Sequence, residues 1–101
     1  MSPRTTSVWF RFRLYIAGHT ANSARAIGNL KAICRKYLPQ RHEIEVVDVF
    51  EHPARALTDG IMMTPTLLRV EPSPPIRIVG SLSATPVVLE TLQILPDVDA
   101  K

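Results

Sequence analysis

Between Leu14 and Leu30 the chain reads LYIAGHTANSARAIGNL: an apolar run, a short polar turn at a glycine, then apolar residues at helical spacing. Side chains alternate along a strand and return to one face of a helix about every 3.6 residues, so this order predicts a strand, a tight loop and an amphipathic helix. The loop, Gly18-His19-Thr20-Ala21-Asn22-Ser23, offers hydroxyls, an amide and an imidazole, and no thiol. Dithiol exchange from that loop is excluded, because the attacking species in such chemistry is a thiolate.

The chain has 101 residues, a length at which one domain buries roughly two-thirds of the surface exposed by its unfolded form. A single domain is expected over residues 1–101, with a core from about 8 to 95 and flexible tails at 1–7 and 96–101. At 46% hydrophobic and 21% charged residues the chain is too apolar to remain disordered. Cys34 is the only cysteine, which rules out an internal disulfide framework and points to a reducing, cytoplasmic setting. Met1 to Ser7 lacks the apolar core of a signal peptide, and no apolar run approaches the ~18 residues of a membrane span. Net charge is +3, yet the basic residues are scattered singly without a basic block or interleaved aromatics. Neither nucleic acid nor a membrane is an expected partner.

Along the strand, Phe10, Phe12, Leu14 and Ile16 oppose Arg11, Arg13 and Tyr15, which predicts one wet face. In the following helix Ala24, Ile27, Leu30, Ile33, Cys34, Tyr37 and Leu38 form the expected apolar stripe; Thr20, Asn22 or Ser23 can cap its start, and Pro39 ends it. Glu43 to Phe50, rich in β-branched residues, reads as a second strand, so the first three elements form a βαβ unit with parallel strands. Pro53 to Gly60 fits a short helix with proline in its first turn and glycine at its C-terminal cap. Thr66 to Val70 and Ile76 to Val79 read as an antiparallel pair around Glu71-Pro72-Ser73-Pro74-Pro75. Pro86 to Leu95 reads as a last helix with Thr85 as N-cap, a stripe of Val88, Leu89, Leu92 and Leu95, and Pro96 as its stop. The predicted order is βαβαββα.

Met63-Thr64-Pro65-Thr66-Leu67 stands just before the third strand, where thioredoxin-like proteins place a proline with a cis peptide bond. The expected class is therefore α/β and thioredoxin-like. An enzymatic alternative is a glutathione transferase-like protein that uses Thr20, Ser23 or Tyr15 to stabilise a bound thiolate without a catalytic cysteine. Helix capping accounts for Thr20, Asn22 and Ser23 more simply. Cys34 lies on the helix stripe and reads as a small buried hydrophobe. His19, His42 and His52 are far apart and lack carboxylates at ligand spacing, so no metal and no cofactor is expected. Asp48, inside an apolar strand, must find donors or lie near the strand end.

Taken together, these residues resemble the KaiB family of small clock proteins. Leu14-Tyr15-Ile16-Ala17-Gly18 followed by Thr20, Asn22, Ser23, Arg25 and Ala26 is similar to that family's opening. Val47-Asp48-Val49 with Pro53, Thr64-Pro65-Thr66-Leu67, and Arg77-Ile78-Val79-Gly80 with Leu82-Ser83 follow in the family's order, covering roughly Val8 to Leu95. The sensor domain of a clock-associated histidine kinase shares much of this series.

The resemblance implies a non-enzymatic protein that binds a KaiC-type ATPase and modulates its phosphorylation cycle, with a KaiA-like protein or a histidine kinase as further partners. It also implies two accessible folds, a ground state of order βαββααβ and the thioredoxin-like βαβαββα state that binds KaiC, and a possible dimer or tetramer. The partner surface it implies comprises Glu45, Val47, Arg55, Asp59 and Gly60, with Arg25 and Arg69 as supporting charges. Typical members carry glycine and aspartate where this chain has Thr91 and Gln93. Removing glycine from a helix interior lifts a penalty of up to ~1 kcal/mol, and glutamine is the better helix former, so the thioredoxin-like state is favoured. Val87, Val88, Thr91 and Ile94 are β-branched and also tolerate a strand. Pro65, Pro72, Pro74 and Pro75 lie in the half that would rebuild, where X-Pro isomerisation makes switching slow. Gly80-Ser81-Leu82-Ser83-Ala84 stands where the family usually has Gly-Asp-Leu-Ser-Asp, and Glu45 and Gly60 occupy positions often basic in clock members. These departures suit a homologue with a different KaiC or with a stress or signalling role outside a full oscillator.

Overall fold

Strand β1 (Phe10–Ile16) lies at the heart of the molecule because its residues are apolar on one face and amphipathic on the other. A computed structural model describes residues 8–94. In it β1 pairs in parallel with β2 (His42–Asp48) and antiparallel with β3 (Thr66–Glu71), which pairs antiparallel with β4 (Ile76–Val79). The sheet order is β2-β1-β3-β4. Helix α1 (Ala21–Tyr37) connects β1 to β2, α2 (Pro53–Thr58) follows β2, and α3 (Thr85–Leu92) follows β4, giving the expected βαβαββα order.

One face of the sheet packs Phe10, Phe12, Leu14, Ile16 and Leu67 against Ala26, Leu30, Ile33, Cys34 and Leu38 of the α1 region and Val88 and Leu92 of α3. The Phe10 and Phe12 rings stack with centroids 5.9 Å apart. Full burial of one such side chain contributes about 1.5–3 kcal/mol, so this layer dominates the hydrophobic driving force. A smaller cluster on the opposite face joins Tyr15, Val47 and Leu68 to Ala56 of α2. That helix corrects the expectation of a wet strand face: Arg11 and Arg13 reach solvent, but Tyr15 is fully buried beneath α2.

Local chemistry sets the helix limits. Thr20 caps α1 by accepting a hydrogen bond from the Ser23 amide at 3.1 Å, and Arg35 and Lys36 complement the negative end of its dipole. The buried stripe contains Ser23 and Ala26, whereas Ala24 is exposed, so the face begins one position away from the expected phase. Strand β2 ends at Asp48, because residues 49–51 turn toward α2. Gly60, with φ +67°, takes the left-handed position just after Asp59 caps α2, as its sequence position predicts.

Helix α3 departs most from expectation. Thr85 is its first helical residue and Ala84 holds the cap position without a side-chain bond. Thr91 lies inside the helix, but Gln93 follows its end with φ 60° and ψ 40°. The advantage of glutamine as a helix former does not operate at that left-handed position. Leu95 and Pro96, assigned to the helix stripe and its stop, lie outside the described residues. The Thr64-Pro65, Glu71-Pro72 and Ser73-Pro74 bonds are cis.

Two substitutions in α1 separate packing from backbone propensity. Leu30 is fully buried, and Leu30→Ala is expected to lower unfolding free energy by about 2–5 kcal/mol. Gly28 is exposed, with open space where a Cβ would stand, so Gly28→Ala is expected to raise it by about 0.5–1 kcal/mol. Urea denaturation of both variants measures the two signs.

Candidate functional site

The short helix α2 is held to the sheet mainly by polar groups. Tyr15, one residue before the end of β1, donates its hydroxyl to Asp59 Oδ2 at 2.6 Å and also donates to the Arg55 carbonyl at 3.1 Å. Arg13, two residues earlier on the same strand face, reaches the same Asp59 oxygen at 3.0 Å and Glu45 Oε1 at 3.2 Å. Arg55 closes the network from α2 with a forked contact to Glu45, 2.6 Å and 2.9 Å. Alternation brings Arg13 and Tyr15 to one face, the parallel register sets Glu45 opposite Arg13, and the C-cap of α2 delivers Asp59.

This arrangement moves the ionisation of its members. Burial, reinforced by the Asp59 carboxylate, pushes the Tyr15 hydroxyl up to about 12. Burial pushes the Asp59 carboxyl upward as well, but the Tyr15 hydroxyl and the Arg13 guanidinium outweigh it and hold the group below its ordinary value. Arg55, with Arg13 assisting, holds Glu45 down at about 2 against the opposing effect of burial. A cavity of about 270 Å³ lies beside these groups, lined by Arg13, Tyr15, Ala54, Arg55, Thr58 and Asp59.

Around α2 the surface is unusually apolar. Phe50 is 74% exposed, Leu57 81%, Met62 90% and Met63 62%, and all four lie on α2 or on the segments flanking it. Asp48 positions the first of them: its Oδ1 accepts from the Phe50 amide at 2.9 Å and from the Gly18 amide at 3.3 Å. The Phe50 ring consequently sits against the Gly18 loop, 3.7 Å from where a Cβ on Gly18 would stand. Asp48 thus finds backbone donors at the strand end, as an acidic residue in an apolar strand requires.

The residues singled out from the sequence divide into two groups. Glu45, Arg55, Asp59 and Gly60 come together at α2. Val47 is on the same side but 1% exposed, packed under the helix. Arg25 stands on the exposed side of α1, paired with Asn22 at 2.8 Å, in the layer on the other face of the sheet. Arg69 is 1% exposed and donates to the Leu92 and Pro74 carbonyls, so it supplies no surface charge. Arg13 and the exposed apolar residues were not identified from the sequence. Alternation with Tyr15 marks the former, and Leu57, directly after the inward Ala56, marks the latter.

The hydroxyls considered for thiolate binding are engaged separately. Thr20 donates to Ser23 Oγ at 2.8 Å at the start of α1, whereas Tyr15 is committed to Asp59 under α2. Cys34 is fully buried, and burial pushes its thiol up to about 12. Among the described residues no group of three or more His, Cys, Asp or Glu side chains is placed to hold a metal, and no helix is long and apolar enough to cross a membrane.

A βαβαββα sheet with a cis proline opening β3, joined to a β1–α1 loop without cysteine, defines a thioredoxin-like protein that lacks the loop thiols of the redox members. Solved structures agree. Chloroplastic thioredoxin z superposes with a TM-score of 0.68 at 19% identity, over 85% of this chain and 78% of that one. The N-terminal domain of Synechococcus elongatus SasA superposes with a TM-score of 0.69 at 16% identity, over 92% and 89%. A family model described as the KaiB domain matches residues 13–94. The circadian clock protein KaiB3 of Synechocystis sp. is 44% identical over 85 residues, 84% of this chain and 83% of its own length. The circadian clock oscillator protein KaiB of Synechococcus elongatus is 42% identical over 95 residues, 94% and 90% respectively. The chain belongs to the KaiB family, whose matched members are circadian clock proteins.

The acid dependence of the network follows from Glu45. Its carboxyl ionises near 2 in the folded chain, below the usual value of about 4.3 when unfolded. The resulting stability is therefore present above that unfolded value and is lost as pH falls toward 2. Glu45→Gln is expected to flatten the stability decline between pH 5 and pH 2, measured by urea unfolding at each pH. A decline as steep as that of the unsubstituted chain contradicts the assignment. Tyr15→Phe removes the hydroxyl donor to Asp59 and is expected to cost about 1–3 kcal/mol at pH 7, read from the same unfolding curves.

Proposed function

We propose that this protein is a non-enzymatic, cytoplasmic clock or signalling component that docks on a KaiC-type ATPase and modulates its phosphorylation cycle. The observation that carries this reading is the exposed apolar set of Phe50, Leu57, Met62 and Met63 around α2, in a chain of the KaiB family. Large exposed apolar residues beside a charged network are the composition of a recognition surface, with the apolar part supplying affinity and the charges setting encounter and register. Glu45, Arg55, Asp59 and Gly60 frame that surface, and Val47 supports it from beneath. Arg25 lies on the other layer and fits a separate contact, with a KaiA-like protein or a histidine kinase.

The βαβαββα arrangement is the binding-competent form in this reading. Thr91 favours it from within α3, and Pro65, Pro72, Pro74 and Pro75 fall in the half that differs from the βαββααβ alternative. Engagement of the hydroxyls at separate sites and burial of Cys34 argue against a glutathione transferase-like activity.

A role outside a full oscillator is the second reading, favoured by Ser81 and Ala84 at positions usually acidic in the family. The KaiC-type ATPase from the same genome, prepared in both phosphorylation states, tests both. Co-elution on size exclusion with one phosphoform, and a changed rate of phosphorylation, is expected for the first reading; binding without a change in phosphorylation fits the second. Leu57→Glu and Met62→Glu are expected to weaken the complex at least tenfold while leaving the melting temperature unchanged, whereas Lys31→Glu on α1 leaves binding intact. No complex with either phosphoform contradicts the proposal.

A further inference from the structure

Sulfur is scarce in this chain, which has one cysteine and three methionines. Cys34 is fully buried in α1 and burial pushes its thiol up to about 12, so it offers an oxidant neither access nor a thiolate. Met62 and Met63, between α2 and β3, are 90% and 62% exposed. Neither belongs to a core cluster. The backbone that carries them is pinned on both sides: the Ile61 amide donates to the Ala56 carbonyl at 2.9 Å, and Thr66 Oγ1 donates to the Met63 carbonyl at 2.6 Å. Arg77 adds a third tie, from its Nη1 to the Gly60 carbonyl at 3.0 Å. Both thioethers thus project from a held segment, and the fold does not use them.

Exposure decides which sulfur reacts. A thioether needs no deprotonation before it attacks an oxidant, so access alone governs its rate, whereas a thiol must first become a thiolate. The product, methionine sulfoxide, is polar where the thioether was apolar. Met62 and Met63 are two of the four large apolar side chains exposed around α2, with Phe50 and Leu57. Oxidation therefore places two polar groups in that surface, and their water must be stripped away before anything apolar can settle on it.

We infer that Met62 and Met63 form a modification site for hydroperoxides, at which oxidation withdraws the apolar surface around α2 and leaves the fold in place. The sulfur lone pair attacks one peroxide oxygen, and an S–O bond forms as the O–O bond breaks. Sulfur gives up two electrons to the peroxide; the departing hydroxide takes the proton of the transferred oxygen and leaves as water. Methionine sulfoxide reductases return the thioether, so the change is reversible. The consequence for a partner rests on the reading of α2 as a docking surface, whereas the chemistry and the loss of apolar surface do not.

Hydrogen peroxide is the probe, added to the full chain. Trypsin then releases both methionines in one peptide, residues 56–69, apart from Cys34. The expected result is one oxygen on each of Met62 and Met63 before any on Cys34, an unchanged melting temperature and weaker retention on a phenyl column. Affinity for the KaiC-type ATPase is expected to fall about tenfold, and the two sulfoxide reductases restore both retention and affinity. An M62L/M63L variant keeps an apolar surface without sulfur; its retention and affinity, whatever their starting values, are indifferent to peroxide. Oxygen on Cys34 first, a lowered melting temperature, or a retention change shared by M62L/M63L overturns the site. If the untreated chain forms no complex, the docking reading fails and the phenyl column still decides the site; if oxidised and untreated chains bind equally, docking stands and the control by oxidation is overturned.

Discussion

One carboxylate, that of Asp59, holds the small layer of this protein together. It accepts from Tyr15 at 2.6 Å and from Arg13 at 3.0 Å, both from the central strand, and stands at the cap of the helix that it fastens. Helix α2 has six residues, too few to be stable by propensity alone. Its apolar contribution is essentially Ala56, so the polar network and the cap supply what a larger buried face would supply elsewhere. With Ala56 facing inward, Leu57 must face outward. The exposed apolar surface is thus a geometric consequence of how the helix is anchored.

The two faces of the sheet divide the labour. On one, α1 and α3 bury a continuous apolar layer that fixes the strand order. On the other, a short helix leaves Phe50, Leu57, Met62 and Met63 in water. The chain has the thioredoxin-like order with no thiol in its β1–α1 loop. The chain belongs to the KaiB family, whose matched members are circadian clock proteins.

Much of the architecture was legible in the residues because it rests on strong local signals. The alternation of Phe10 to Ile16, the cap at Thr20, the proline and glycine bounding α2, and the proline-rich turn before β4 each have a short-range physical cause. The family was legible for a related reason: its motifs fall at loops and caps, where backbone requirements restrict residue choice. Tertiary features were harder to read. Tyr15 alternates with arginines and so reads as wet, but the helix that covers it is anchored by Asp59, distant in sequence. The family resemblance offers Arg69 as a supporting charge of a partner surface, whereas it is enclosed and donates to backbone carbonyls across the molecule. The end of α3 is hard to read for the converse reason, since Gln93 carries no local signal for the left-handed conformation it adopts.

Hydrogen exchange of the backbone amides, with and without a saturating KaiC-type ATPase, tests the central claim most directly. The account predicts new protection confined to residues 50–63 and the adjoining edge of β2, with the outer face of α1 unchanged at Arg25, Lys31 and Arg35. Protection that appears on α1 while residues 50–63 exchange as freely as in the isolated protein contradicts it.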